Sequence, residues 1–266
     1  MKIKFLFVMI MAVFVSLSSI QSALALVFVF QQGLNGYTGT QDTYISSTSK
    51  ERNYGTSRRL NLRGGSRKNH ILISFDISSL PENISGIDDH LCIQSATLSL
   101  YKLQSTVDPI ASVFKVLNGP WSEGDGGMST LGDVDWNHKK HGAPPGIPHQ
   151  SWNTPGLGAG TDYEVPAADS KDITSSGWYH WNVTSIVGDW YAETDPNYGF
   201  FLKITGGTSQ HVLQQFASSE HYTKKFRPKL TVTLDERCLI PEPGTLSLLG
   251  FGLLGLAGLR LWKCWR

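Results

Sequence analysis

Apolar and polar residues alternate with a period of two through much of the chain. In NHILISFDI, Ile71, Ile73 and Phe75 share one face, and in SATLSLYKL, Ala96, Leu98 and Leu100 do the same. The same reading predicts further strands at 41–47, 60–63, 112–117, 177–181, 200–204, 211–217 and 229–234, separated by turn residues. Alternation with polar outward positions predicts antiparallel sheets, each with one dry face, packed as a sandwich. One stretch departs from it. In VTSIVGDWYAE, Val183, Ile186, Val187, Trp190 and Tyr191 follow a helical period, predicting a short helix with Thr184 as its N-cap. Residues 118–172 are the least regular, rich in Gly, Pro and Trp, and a functional loop system or a disordered insert would read alike.

Composition adds a compartment more than a partner. The 266 residues carry 23 Lys+Arg against 22 Asp+Glu, a balance that gives no footprint for nucleic acid. Charged residues are only 17 % of the chain, with 27 Gly, 8 Trp, 9 Tyr and 12 Phe, which suits an exported β-rich protein. Lys2 and Lys4, the apolar run Phe5 to Val15, and Ala23 and Ala25 as the small residues of an A-x-A site form a signal peptide over residues 1–25. Signal peptidase would then release a chain beginning at Leu26. Of three cysteines, Cys264 lies in the tail, leaving Cys92 and Cys238 as a candidate disulfide or as two unpaired thiols.

The stretches that run from QDTYISSTSKERNYGTSRRLNLRGG through ILISFDISSLP to the closing FASSEHYTKKFRPKLTVTL, in order, resemble the DNRLRE domain, a carbohydrate-binding-module-like family. They are QDTYISSTSKERNYGTSRRLNLRGG, with Gln41-Asp42-Thr43-Tyr44 and Asn53-Tyr54-Gly55, then ILISFDISSLP, and then Trp121-Ser122-Glu123-Gly124 and Trp136-Asn137. WNVTSIVGDWYAETDPNYGFFLKI and the closing FASSEHYTKKFRPKLTVTL complete the series from about Gln41 to Leu234. The resemblance implies an all-β, jelly-roll-like antiparallel sandwich with one short helix, occupying residues 26–240. Some relatives bind acidic polysaccharide, alginate among them, without catalysis.

Candidate chemistry is sparse. Arg52, Arg58, Arg59, Arg63, Arg67 and Lys68 fall in a stretch without Asp or Glu. Guanidinium groups pair bidentately with carboxylates, so Arg58, Arg59, Arg63 and Arg67 are candidate contacts for a uronic-acid polymer. Solvated strand edges that discourage aggregation would look the same. Trp121 and Trp136, at family signature positions, read as structural, and Trp152 as the candidate sugar contact. Glu123, Asp125, Asp133 and Asp135 in a Gly-rich loop could supply oxygens to Ca2+, or be ordinary loop acids. His138, His141 and His149 have an H-x2-H-x7-H spacing that is weak as a zinc signature. H-E-x-x-H, G-x-S-x-G and P-loop motifs are absent, so a polysaccharide lyase or hydrolase stays an alternative without named residues.

The tail reads PEPGTLSLLGFGLLGLAGLRLWKCWR. Leu246 to Leu259 is uncharged but broken by four glycines. As a helix it spans about 21 Å against ~30 Å of hydrocarbon, barely a transmembrane helix. Arg260, Lys263 and Arg266 follow and place the C-terminus in the cytoplasm. Pro241-Glu242-Pro243, the apolar stretch and the basic end resemble the PEP-CTERM sorting signal, residues 241–266. That resemblance implies transient residence in the inner membrane, recognition by an exosortase, and delivery to the cell surface or exopolysaccharide matrix of a Gram-negative bacterium. The expectation is an exported, non-catalytic surface protein that binds acidic polysaccharide, with a purely structural surface protein as the rival.

Overall fold

The computed structural model describes residues 25–81, 92–104, 108–142, 146–207 and 210–235. Ala23 of the A-x-A site, Cys238, and the sorting residues Pro241, Glu242, Pro243, Arg260, Lys263 and Arg266 lie outside the described residues. So does the expected transmembrane stretch. Among the described residues, no helix is long and apolar enough to cross a membrane.

The strands are β1 (Leu26–Gln31), β2 (Thr40–Ser46), β3 (Arg52–Asn53), β4 (Arg59–Leu62), β5 (Asn69–Phe75), β6 (Cys92–Lys102), β7 (Pro109–Lys115) and β8 (Gly127–Met128). They continue as β9 (His138–Lys140), β10 (Gln150–Ser151), β11 (Asp169–Asp172), β12 (Gly177–Asn182), β13 (Phe200–Gly207), β14 (Gln214–Ala217) and β15 (Lys229–Asp235), with an α-helix, α1 (Thr184–Tyr191), between β12 and β13 and a 3-10 turn at Lys224–Phe226. Two antiparallel sheets face each other. The first runs β1-β15-β6-β14-β4, with β12 on the other edge of β6, and the second runs β11-β7-β13-β5-β2. Ile71, Ile73 and Phe75 meet Leu98, Leu100, Trp181, Phe216 and Val232 in the core between them. The period-two faces read from the sequence are the faces that the core uses.

β1 was not among the predicted strands. It begins at Leu26 and pairs with β15 along its whole length. The predicted helix forms, burying Ile186, Val187 and Trp190 against the sandwich core. Thr184 does not cap it: Val183 holds the N-cap position without a side-chain bond. The Thr184 hydroxyl instead accepts the Ala96 amide at 3.0 Å and donates to Asn182 Oδ1 at 2.7 Å, tying the helix start to β6.

The expectation of one dry face per sheet holds for the first sheet and fails for the second. Ile45, Leu72, Phe114 and Phe201 point outward from the second sheet, yet are buried beneath Trp121, Val134, Trp136, Trp152, Leu157 and Tyr163. The irregular region is therefore a third layer, not a disordered insert. Each indole removes roughly 150–250 Å² from water, about 4–6 kcal/mol at ~25 cal/mol per Å², which anchors a long region with little regular structure. Asp162, fully buried, organises its glycine-rich turn. Its carboxylate accepts the amides of Asn153, Thr154 and Gly158 and the side chain of Asn118 at 2.7–3.0 Å. Burial alone would push this carboxyl up, but the donors outweigh it and hold it below its ordinary value. Gly156 in this turn has φ +80° and lies against the Trp136 ring, where any Cβ would collide.

Candidate functional site

With the third layer over the second sheet, the outer face of the first sheet is the open one. In β4, Leu60 and Leu62 point inward, so Arg59 and Asn61, with Arg63 just beyond the strand, take the outer face. Strand register then builds a transverse row. Arg59 pairs with Ala217, and Trp178 pairs with Tyr101. The Phe216–Lys102 pairing sets Ala217 beside Tyr101. Arg59, Ala217, Tyr101 and Trp178 thus cross four neighbouring strands, about 14 Å from end to end.

The aromatic end of the row is half-buried. Trp178 meets Tyr101 edge-on at 5.5 Å, and Tyr101 stacks with Phe226 at 3.9 Å. Lys229 Nζ stands 4.6 Å from the Trp178 ring centre. Outward positions along β4, β14, β6, β12 and β15 also include Asn61, Gln215, Thr97, Ser99, His180 and Thr231. Among the described residues of these five strands, Asp235, at the far end beside Cys92, is the one acidic side chain. Cations, amides and a half-exposed indole are groups that grip an anionic sugar polymer.

The structure divides the sequence-predicted contacts. Arg58, Arg59 and Arg67 are exposed, and Arg63 is half-buried. Arg63 Nε donates to the His211 carbonyl at 2.6 Å, fastening the end of β4 to the segment before β14. Arg59 Nη1 reaches Gln215 Oε1 at 3.5 Å. Arg67 lies in the turn between β4 and β5, away from the row. Trp152 does not belong with them. It is 3 % exposed, and its indole N–H donates to the Asp135 carbonyl at 3.1 Å, on the opposite side of the sandwich. The outward indole is Trp178, which the sequence motifs do not single out; in WYHWN, the alternation that turns Trp181 inward turns Trp178 outward.

Of the four acidic residues expected to share a cation, Glu123, Asp125 and Asp133 line one cavity with Glu220, and Asp135 lies apart. Asp125 is exposed, and the Asp133 carboxylate accepts the Thr130 amide and hydroxyl at 2.9 and 3.1 Å. Asp135 is buried and engaged by His138 and His141. Glu123 alone joins a carboxylate cluster, with Asp42 of β2 and Glu220 beyond β14. Their oxygens lie within 4.8 Å of one another. Asp42 is fully buried, its Oδ2 accepts the Ser219 amide at 2.7 Å, and its amide donates to Glu123 Oε1 at 3.0 Å. Asp42 Oδ1 and Glu220 Oε2 are buried without a donor. Burial first, then the charges of Glu220 and Glu123, push the Asp42 carboxyl well above its ordinary value. Burial likewise raises Glu123, to about 8, with Glu220 adding to it and the Asp42 amide opposing.

Asn53 holds this corner together. Its side-chain amide donates to the carbonyls of Glu123 and Val134 at 2.6 and 2.9 Å, and its oxygen accepts the amides of Gly55 and Gly126, both at 2.9 Å. Gly55 lies so close to the carbonyls of Glu123 and Gly124 that a Cβ would collide with them. The N-Y-G and W-S-E-G stretches, far apart in sequence, are thus one packed unit.

Fold and face together define an antiparallel β-sandwich with one sheet covered and the other presenting a basic, aromatic surface. Residues 35–126 match the model of carbohydrate-binding module family 96. Residues 239–261 match the PEP-CTERM protein-sorting motif. No curated protein matches the chain. The first match is shorter than the stretch from Gln41 to Leu234 that the sequence motifs suggested. It takes in Asp42, Asn53, Arg59, Arg63, Trp121 and Glu123, and ends before the rest of the third layer and before Trp178.

Proposed function

We propose that this chain is an exported, non-catalytic surface protein that binds acidic polysaccharide on the outer face of its first sheet. The observation that carries the reading is the row from Arg59 to Trp178, flanked by Lys229 and Arg63. The match to a carbohydrate-binding module supports it, as does the covering of the opposite face by the third layer. The sorting motif supports passage through the inner membrane, processing by an exosortase and release to the surface or matrix.

Retardation in native gels containing alginate, against neutral dextran as control, tests the binding. Salt-sensitive retardation by alginate, weakened in Trp178→Ala with the fold intact, is the expected result. No retardation would leave a structural surface protein, and release of unsaturated uronide would point to a lyase. Intact mass of the native protein tests the sorting. A species starting near Leu26 and lacking the tail is expected outside the inner membrane.

We further infer that Asp42, Glu123 and Glu220 hold a calcium ion. Calcium takes six to eight oxygens, and carboxylates are its usual protein ligands. Three carboxylates held this close, two of them with a buried oxygen lacking a donor, repel one another unless protonated or bound to a cation. A divalent ion supplies the missing charge. The ion's role in this reading is structural, joining β2 to the W-S-E-G loop and to the turn after β14.

A further inference from the structure

We propose that His138, His141 and His149 bind one divalent transition-metal ion of the zinc or cobalt class, fastening the hairpin of the third layer. The hairpin is β9 paired with β10, Gln150 opposite Lys140. The next positions outward are His141 and His149, so register brings them face to face across the strands. His138 stacks on His149 at 4.3 Å between ring centres, and His141 lies 4.5 Å from His149 and 5.2 Å from His138. One nitrogen of each ring lies within 4.8 Å of the others.

A second, independent feature is the group behind the rings. Asp135, fully buried, meets Nδ1 of both His138 and His141 at 3.0 Å. It also accepts the amides of Asn137 and His138 at 2.8 Å, which fixes its own position. A carboxylate at Nδ1 selects the tautomer protonated there and leaves Nε2 of each ring as a lone pair. This carboxylate–imidazole pairing orients histidine ligands for a metal and raises their basicity. Imidazoles without thiolate or further carboxylate ligands suit zinc, cobalt, nickel or copper more than calcium or magnesium.

His149 is the exposed member, and its Nδ1 accepts the Gly142 amide at 3.0 Å. It ligates either by giving that lone pair to the ion or by turning its ring to present Nε2. Three imidazoles with an exposed side leave a fourth coordination position for water. The site belongs to the third layer, beyond residues 35–126, and lies across the sandwich from the sugar-binding face. It is also separate from the carboxylate cluster.

Cobalt titration of the full chain, purified without a histidine tag and in excess calcium to occupy the carboxylates, tests the proposal. The expected result is one equivalent bound with the intense visible bands of tetrahedral cobalt, displaced by zinc. Those bands disappear in His149→Ala and His141→Ala. In Asp135→Asn they persist with affinity lowered roughly 10–100-fold, as for loss of a partner behind the ligands. His149→Ala changes an exposed side chain, and an unchanged circular dichroism spectrum for it separates loss of metal from loss of fold. Absence of tetrahedral bands in the unmodified chain would overturn the proposal, as would bands retained in both alanine variants.

Discussion

Arg59 and Trp178 stand in the same transverse row of the first sheet, with Ala217 and Tyr101 between them. They lie 119 positions apart in the numbering, yet the sheet holds them about 14 Å apart on rigid strands. The pair defines a strip with a cation at one end and an indole at the other. Trp178→Ala and Arg59→Ala should each weaken alginate binding several-fold to about tenfold, the equivalent of ~0.5–1.5 kcal/mol. Affinity electrophoresis at two salt concentrations checks this, and only the Arg59 variant should also show reduced salt sensitivity.

Trp152 should behave differently. As a buried ring in the third layer, its replacement by alanine should cost about 3–5 kcal/mol in urea unfolding. The fraction that remains folded should bind polysaccharide as before. Selective loss of sugar affinity without loss of stability would return Trp152 to the binding face.

The carboxylate cluster predicts a pH dependence. In the calcium-free chain, burial raises the Glu123 pKa to about 8 from an ordinary 4.5. Between these values the unfolded chain has lost a proton that the folded chain keeps, so stability falls as pH rises through the window. Thermal unfolding in chelator should therefore show Tm decreasing from pH 4.5 towards pH 8. Calcium should raise Tm most at the upper end, and Glu123→Gln should reduce both effects, leaving the part of the pH dependence that the buried Asp42 carboxyl contributes. A calcium response of equal size in Glu123→Gln would remove this residue from the site.

Cys92 is disulfide-bonded. Register sets it opposite Asp235, three residues before Cys238, and we expect Cys238 to be its partner. Peptide mapping of the unreduced protein should recover the Cys92–Cys238 cross-link, and Cys92→Ser should lower stability by roughly 2–5 kcal/mol. A cross-link to Cys264 would overturn the assignment.

Period-two alternation by itself determined most of the strands that make the core, β1 excepted, because side chains on a pleated strand must point alternately to its two sides. It also carried the short helix, whose apolar residues repeat at the helical period. The motifs Asn53-Tyr54-Gly55 and Trp121-Ser122-Glu123-Gly124 were legible as signatures, and the arginines of β4 as a basic stretch. Alternation says which residues share a face and nothing about what covers it. Leu72 and Phe201, apolar at outward positions, were the trace of a covered second sheet, but only the fold shows Trp121, Trp136 and Trp152 above them. Packing decided that Trp152 is inside and Trp178 outside. Long-range convergence decided the rest: Asp42, Glu123 and Glu220 come from three separate regions, and a loop reading grouped Glu123 with its neighbours in sequence. Cation sites depend on distances between oxygens, and those are set by tertiary contacts that no local pattern encodes.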